Sequence, residues 1–192
     1  MRIWNALIIA TGLLAAPALA GPFGVSMGQP ITGLRPTSTE TRNVFRIVAP
    51  QPNEEFESYW VVASPETGVC KVWGTGKDHA NDRYGSEVRD AYRRIKAVLA
   101  GKYGSSDEVS FLRSGALWKD ENEWVMSVRQ KERTLITYWL GKEGSSLPAD
   151  IVAISLEVRA VSNDTSYLTL TYEFSNFSRC QAKFRENSAD GL

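Results

Sequence analysis

His79 is the only histidine in the 192-residue chain, so any reaction that uses imidazole as a general base must use it. It stands in Gly76-Lys77-Asp78-His79-Ala80-Asn81-Asp82, a polar stretch between a predicted strand and a predicted helix. Such loops often carry function, yet they are also simply where polar residues collect. No G-x-S-x-G or S-x-x-K motif supplies a serine nucleophile. Asp78, His79 and Asp82 are ligand-type side chains, but their spacing fits neither a zinc pattern nor a calcium loop, and they read as a solvated, helix-capping segment. No metal and no cofactor is expected. The phosphate-cradling G-x-x-x-x-G-K-[ST] run is absent, and Gly74-Thr75-Gly76-Lys77 is too short to stand for it. Glycoside hydrolysis asks only for two suitably placed carboxylates, so 22 acidic residues leave it open, and linear spacing cannot establish it.

Aromatic residues offer recognition rather than reaction. Trp60, Trp73 and Trp139 lie in apolar runs and read as core. Trp118 and Trp124 flank the acidic segment Lys119-Asp120-Glu121-Asn122-Glu123. Trp118, Trp124, Glu121 and Glu123 are therefore the candidate recognition surface.

The elements that must position these residues follow from hydrophobic period. Asn43 to Ala49, Phe56 to Ser64 and Val69 to Thr75 read as strands, the last two forming a hairpin about Pro65-Glu66-Thr67-Gly68. Tyr84, Val88, Tyr92, Ile95 and Leu99 recur at steps of three and four, which predicts a helix from Tyr84 to Leu99, capped by Asn81 or Asp82 and stopped by Gly101 and Gly104. Ser105 to Gly115 carries weak turn signals around a short apolar cluster, and Glu121 to Lys131 fits either a helix or the start of a strand. Thr134 to Leu140, Ile151 to Val161 and Ser166 to Phe174 read as three more strands, the last two alternating cleanly. A final helix carries Phe177, Cys180 and Phe184 on one stripe, behind a cap at Ser175 or Asn176. The expectation is an α+β fold: an antiparallel sheet of about six strands with helices packed on one face, each half reading β-β-β-α.

Residues 1–20 pair Arg2 with an apolar stretch and end in Pro17-Ala18-Leu19-Ala20, the pattern of a cleavable secretory signal peptide. The expected layout is a signal peptide over 1–20, a single domain over 21–187 and a disordered tail over 188–192. The apolar run is shorter than the roughly 20 residues a membrane span needs, so no stable membrane anchor is expected. Without Arg2 the chain has 21 basic and 22 acidic residues, a balance that excludes a strongly basic nucleic-acid binder. In an oxidising compartment Cys70 and Cys180 predict a disulfide, which requires the last helix to pack over the first hairpin with the Cα atoms within about 7 Å. Val72 is expected to share a strand face with Cys70. The sequons at Asn163 and Asn176 fall at a predicted turn and a predicted cap, which accounts for their residues without glycans.

The punctuation of the chain resembles that of a group of uncharacterised bacterial exported proteins. The likeness is carried by Phe23-Gly24 with Gly28, Gly68-x-Cys70, Gly76-Lys77-Asp78, Tyr84-Gly85 and Lys102-Tyr103-Gly104. It continues through Trp118, Trp124, Leu147-Pro148 and the run from Tyr172 to Asn176 ahead of Cys180. Similar proteins follow the opening glycine with a short helix, whereas Pro30 and Gly33 here do not suit one. The resemblance implies export and a shared fold, and transfers no site. The expected function is thus a soluble periplasmic or secreted protein that binds a protein or an envelope component without catalysis. The alternatives are a glycan or peptidoglycan hydrolase using paired carboxylates and an inhibitor or immunity-type protein acting on an exported enzyme.

Overall fold

Period-2 alternation in the central runs produces strands that each bury one row of side chains and offer the other row to the opposite face. A computed structural model describes residues 21–41 and 43–189. The predicted signal peptide lies outside the described residues, as do positions 190–192 of the predicted tail. Among the described residues there are eight strands, β1 Pro36–Thr41, β2 Val44–Ile47, β3 Phe56–Ser64, β4 Gly68–Gly76, β5 Asp107–Leu112, β6 Arg133–Leu140, β7 Ile151–Ala160 and β8 Ser166–Phe174. The helices are α1 Ser86–Tyr103, α2 Trp124–Arg129 and α3 Phe177–Ala189, so α3 continues two residues into the stretch read as a tail. The class is α+β, with all strands in one antiparallel sheet of order β1-β2-β3-β4-β8-β7-β6-β5. Two four-stranded meanders meet along β4 and β8, and each is followed in sequence by a helix.

The sheet has eight strands rather than about six because both edge strands lack the alternation that marks a half-buried strand. β1 reads Pro-Thr-Ser-Thr-Glu-Thr, and β5 is exposed along all but its last residue. β1 is built of polar residues and proline and β5 buries no continuous row, so neither carries a hydrophobic period in the sequence.

One face of the sheet carries Tyr59, Val61, Val72, Leu170, Tyr172, Ile154, Leu156 and Trp139, all buried. α1 and α2 cover the β6–β8 part of this face. Residues of the opening segment cover the β2–β4 part, where Phe23 meets Phe56, Tyr59 and Tyr172 edge-on and Val25 and Leu34 are buried. A single 3₁₀ turn spans Ile31–Leu34, in keeping with Pro30 and Gly33. α1 buries Val88, Ala91, Tyr92, Leu99 and Tyr103, while Tyr84 and Val98 are exposed. It begins after Gly85, whose left-handed φ of 65° separates Tyr84 from the helix. Gly85 holds the N-cap position, and the Asp82 carboxylate, three residues ahead of it, accepts the backbone N–H of Glu87 in the first turn at 2.7 Å.

α3 corrects the expectation that the helices share one face. The opening segment already fills the core side of β2–β4, so α3 packs on the opposite side, against β3 and β4. A β-bulge makes this attachment. Lys71 pairs with Val62 and Val69 with Ala63, leaving Cys70 as the extra residue between them. Val69 and Val72 both stay in the core, and Cys70 is turned toward α3 instead of sharing a face with Val72. The disulfide Cys70–Cys180 is formed, with Cα atoms 6.3 Å apart.

Candidate functional site

The loop holding the only histidine is organised by backbone pairing. His79 N–H donates to Ser166 O at 2.7 Å, and Ser166 N–H donates to His79 O at 3.1 Å. His79 Nδ1 lies 3.5 Å from Glu87 Oε2. The Ser166 hydroxyl is buried without a hydrogen-bond partner, so it is not aligned on the imidazole as an activated nucleophile requires. Asp82 is occupied by the Glu87 N–H in the first turn of α1, and Asp78 is exposed. Among the described residues no three His, Cys, Asp or Glu side chains gather closely enough to hold a metal ion.

The predicted recognition surface is divided by the structure. Trp124 is 7% exposed and lies in the core at the start of α2, a correction to its reading as a surface aromatic. Two guanidinium groups approach its ring, Arg89 at 5.2 Å and Arg133 at 5.7 Å from the centroid. Glu123 is half-buried and closes a capping box with Asp120 ahead of α2, whereas Glu121 is exposed. Trp118 is half-buried, and its backbone N–H donates to the Glu132 carboxylate at 2.9 Å. That carboxylate, 4% exposed as a residue, also receives Arg113 Nη2 at 3.2 Å. The Trp118 backbone N–H, the N–H of Leu117 and the Arg113 charge hold the Glu132 pKa below the usual glutamate range. The loop so anchored presents Leu117, 79% exposed, beside Trp118.

The sheet face opposite α1 and α2 carries a feature the residue types alone did not reveal. In register across it stand Arg46, Trp60, Trp73, Thr171, Ser155, Tyr138 and Asp107. Trp60 and Trp73 stack at 6.2 Å with rings 13° from parallel, and the Arg46 guanidinium lies 5.8 Å from the Trp60 centroid. Only Trp139 of the three strand tryptophans is core, at 0% exposure; Trp60 and Trp73 are half-buried on this second face. The signal that could have placed them is parity. Trp73 shares its row with Lys71 and Thr75, and Trp60 with Ser58 and Val62, whereas Tyr59, Val61 and Val72 fall on the other row.

α3 walls one side of this face. Phe177, Gln181 and Phe184 overlook Trp73, Thr169, Thr171 and Tyr167 across a groove of about 460 Å³, with the Lys71 ammonium 5.2 Å from the Phe177 ring centroid. Beyond Thr171 a second hollow of about 350 Å³ continues over Tyr138, Leu140, Ala153 and Ser155. Carboxylates on this face are held by cations: Glu173 by Lys71 at 2.9 Å, Glu157 by Arg159 at 2.7 Å and, at the β5 edge, Asp107 by Lys142 at 2.5 Å. Glu157 pairs with Thr169, four residues along β8 from Glu173. That is roughly 13 Å of backbone, and each carboxylate is turned to its own cation rather than to the other. What the face offers chemically is stacking surface, threonine and tyrosine hydroxyls and a few charges, the composition of a binding surface. No protein-family model, curated protein or solved structure matches the chain.

Proposed function

We propose that the protein is exported, resides in the periplasm or outside the cell, and acts as a non-catalytic binding protein whose partner is another protein. The partner is held on the sheet face bounded by α3. The observation that carries this reading is the asymmetry of the sheet. One face is filled by α1, α2 and the opening segment, while the other keeps half-buried aromatics and hydroxyls in register over β4, β8, β7 and β6 with α3 covering only one end. A face built this way binds flat or extended protein surface through aromatic anchors with surrounding polar contacts. Export is supported by the signal-like residues 1–20, by the disulfide, which oxidising compartments sustain, and by the fact that among the described residues no helix is long and apolar enough to cross a membrane. Inhibition of an exported enzyme is one form that such binding takes. The hydrolase alternative has less support, because Glu157, Glu173 and Asp107 on this face are each engaged by a cation.

Two measurements test the proposal. The intact mass of protein recovered from the exporting bacterium should correspond to a chain starting at Gly21, and retention of Met1 would remove the export reading. A photo-crosslinking residue at Thr171 should capture a protein partner that the same residue at Arg93, on the exposed side of α1, does not capture. Equal capture at the two positions would remove the assignment of the face.

A further inference from the structure

Four cations gather at one end of the sheet, Arg159 from the open face and Arg129, Lys131 and Arg133 from α2, the turn after it and the start of β6, in a chain whose charges balance at 22 against 22. Arg129, Lys131, Arg133 and Arg159 line a hollow of about 460 Å³, together with Thr134 and Tyr167. Glu157 is the one carboxylate in its wall, and Arg159 takes it at 2.7 Å. Among the described residues no carboxylate lies within ion-pair distance of Arg129, Lys131 or Arg133.

Arg133 is fixed rather than loosely solvated. Its Nε donates to Ser127 Oγ at 2.9 Å, and its guanidinium lies against the Trp124 ring that Arg89 also approaches. Burial and the Arg89 charge hold the Arg133 pKa below the ordinary arginine value. The cation is thus maintained against both desolvation and like-charge repulsion, costs that an incoming anion offsets. Guanidinium groups match the planar carboxylate in two-pronged geometry.

We infer that this hollow, at the end of the sheet and adjoining the open face, is a carboxylate-binding subsite, and that the segment it takes is an acidic stretch of a partner polypeptide whose Asp or Glu side chains enter among Arg129, Lys131 and Arg133. The inference rests on the face-binding reading above. A polypeptide is favoured because the hollow shares Arg159 and Tyr167 with the groove under α3, so a chain lying on the sheet runs directly into it. Concavity points the same way. Cations that line a hollow meet a group that enters it, whereas a flat lipid surface reaches only the rim.

The test uses the full disulfide-bonded protein and a fluorescein-labelled decapeptide of alternating Glu and Thr, with a Gln-Thr decapeptide, inorganic phosphate and phosphatidylglycerol vesicles as comparisons. The Glu-Thr peptide should bind saturably, shift the backbone amide resonances of residues 129–134 and Tyr167, and weaken as salt is raised. Replacing both Arg129 and Lys131 by Ala should weaken it by about tenfold or more, the scale of a charge-assisted contact. Both side chains are exposed, and an unchanged melting temperature will show that the variant folds. Equal affinity for the Gln-Thr peptide, shifts of these amides by phosphate alone, or capture by vesicles and not by the peptide would overturn the inference. A silent peptide titration with crosslinking at Thr171 intact would remove the subsite and leave the face reading standing. Peptide binding with no crosslinking at Thr171 would uphold the subsite and remove the face reading.

Discussion

Gly85 lies directly beneath the indole of Trp124: a Cβ at position 85 would stand 2.2 Å from Trp124 Cε3 and 2.6 Å from Cζ3. The residue that ends the 76–85 loop and the residue that starts α2 therefore form one joint. It is reinforced by the Val125 N–H donating to Arg83 O at 3.1 Å. Gly85→Ala meets both the left-handed φ of 65° and the ring, and is expected to destabilise the protein by about 2–4 kcal/mol, combining an unfavourable backbone with overpacking. Gly101→Ala is the matched control, in α1 with nothing within 4 Å of its Cβ position, and should stabilise by about 0.5–1 kcal/mol. Urea unfolding of the two variants measures the contrast, and effects of the same sign would refute it.

The Cys70–Cys180 bridge closes a sequence separation of 110 residues, so its loss should cost roughly 2–5 kcal/mol. α3 retains other attachments when the bridge is cut: Asn176 Nδ2 donates to Thr67 O at 3.2 Å and to Val69 O at 3.1 Å, and Lys71 stays over Phe177. Reduction should therefore raise hydrogen exchange in α3 first and leave β6–β8 protected. Simultaneous exchange of α3 and β7 on mild reduction would show that the helix is not a separable unit.

Where strands bury one clean row, the sequence reported them to the residue: β3 and β8 span the predicted Phe56 to Ser64 and Ser166 to Phe174. The disulfide was legible too, because cysteine count and compartment suffice to predict it. The edge strands β1 and β5 were not legible, since the polar residues of β1 and the exposed side chains of β5 carry no buried period. The side on which α3 packs was equally hidden. It depends on the opening segment occupying the core side of β2–β4 and on one bulge at Cys70, and neither is a local property. At the candidate site the residue types misled. Trp124 sits beside charged neighbours in sequence yet is core, and Trp60 and Trp73 sit in apolar runs yet face outward. Parity within a strand, rather than the hydrophobicity of the run, decides such cases.

Glu132 ties the loop bearing Leu117 and Trp118 to the body of the protein. Its folded pKa is depressed below the ordinary value of 4.5, so its contribution to stability is present above about pH 4.5 and is lost as pH falls through the folded value. Glu132→Gln should therefore be less stable than the parent at pH 7 and approach it at pH 3. Urea titrations at the two pH values, read alongside exchange of the Trp118 amide, check this. A stability gap that widens in acid would contradict it.

In the core beneath α1 the Tyr92 hydroxyl is hydrogen-bonded to Thr137 Oγ1 of β6, both residues being buried. Burial is the main reason that the Tyr92 pKa is pushed up from 10.0 to about 12. A raised folded pKa means that the associated stability is complete below about pH 10 and is lost as pH rises from there through about 12, because the unfolded chain ionises first. Tyr92→Phe removes this alkaline penalty and also leaves the Thr137 hydroxyl without its partner, a cost of about 1–3 kcal/mol at neutral pH. Tyr172 is likewise pushed up by burial but is present in both proteins, so the difference between them isolates Tyr92. Urea unfolding should show Tyr92→Phe less stable than the parent at pH 7 and the gap narrowing at pH 11. A gap that stays constant would mean that Tyr92 ionises alike in the folded and unfolded chains, and would remove it from the alkaline response.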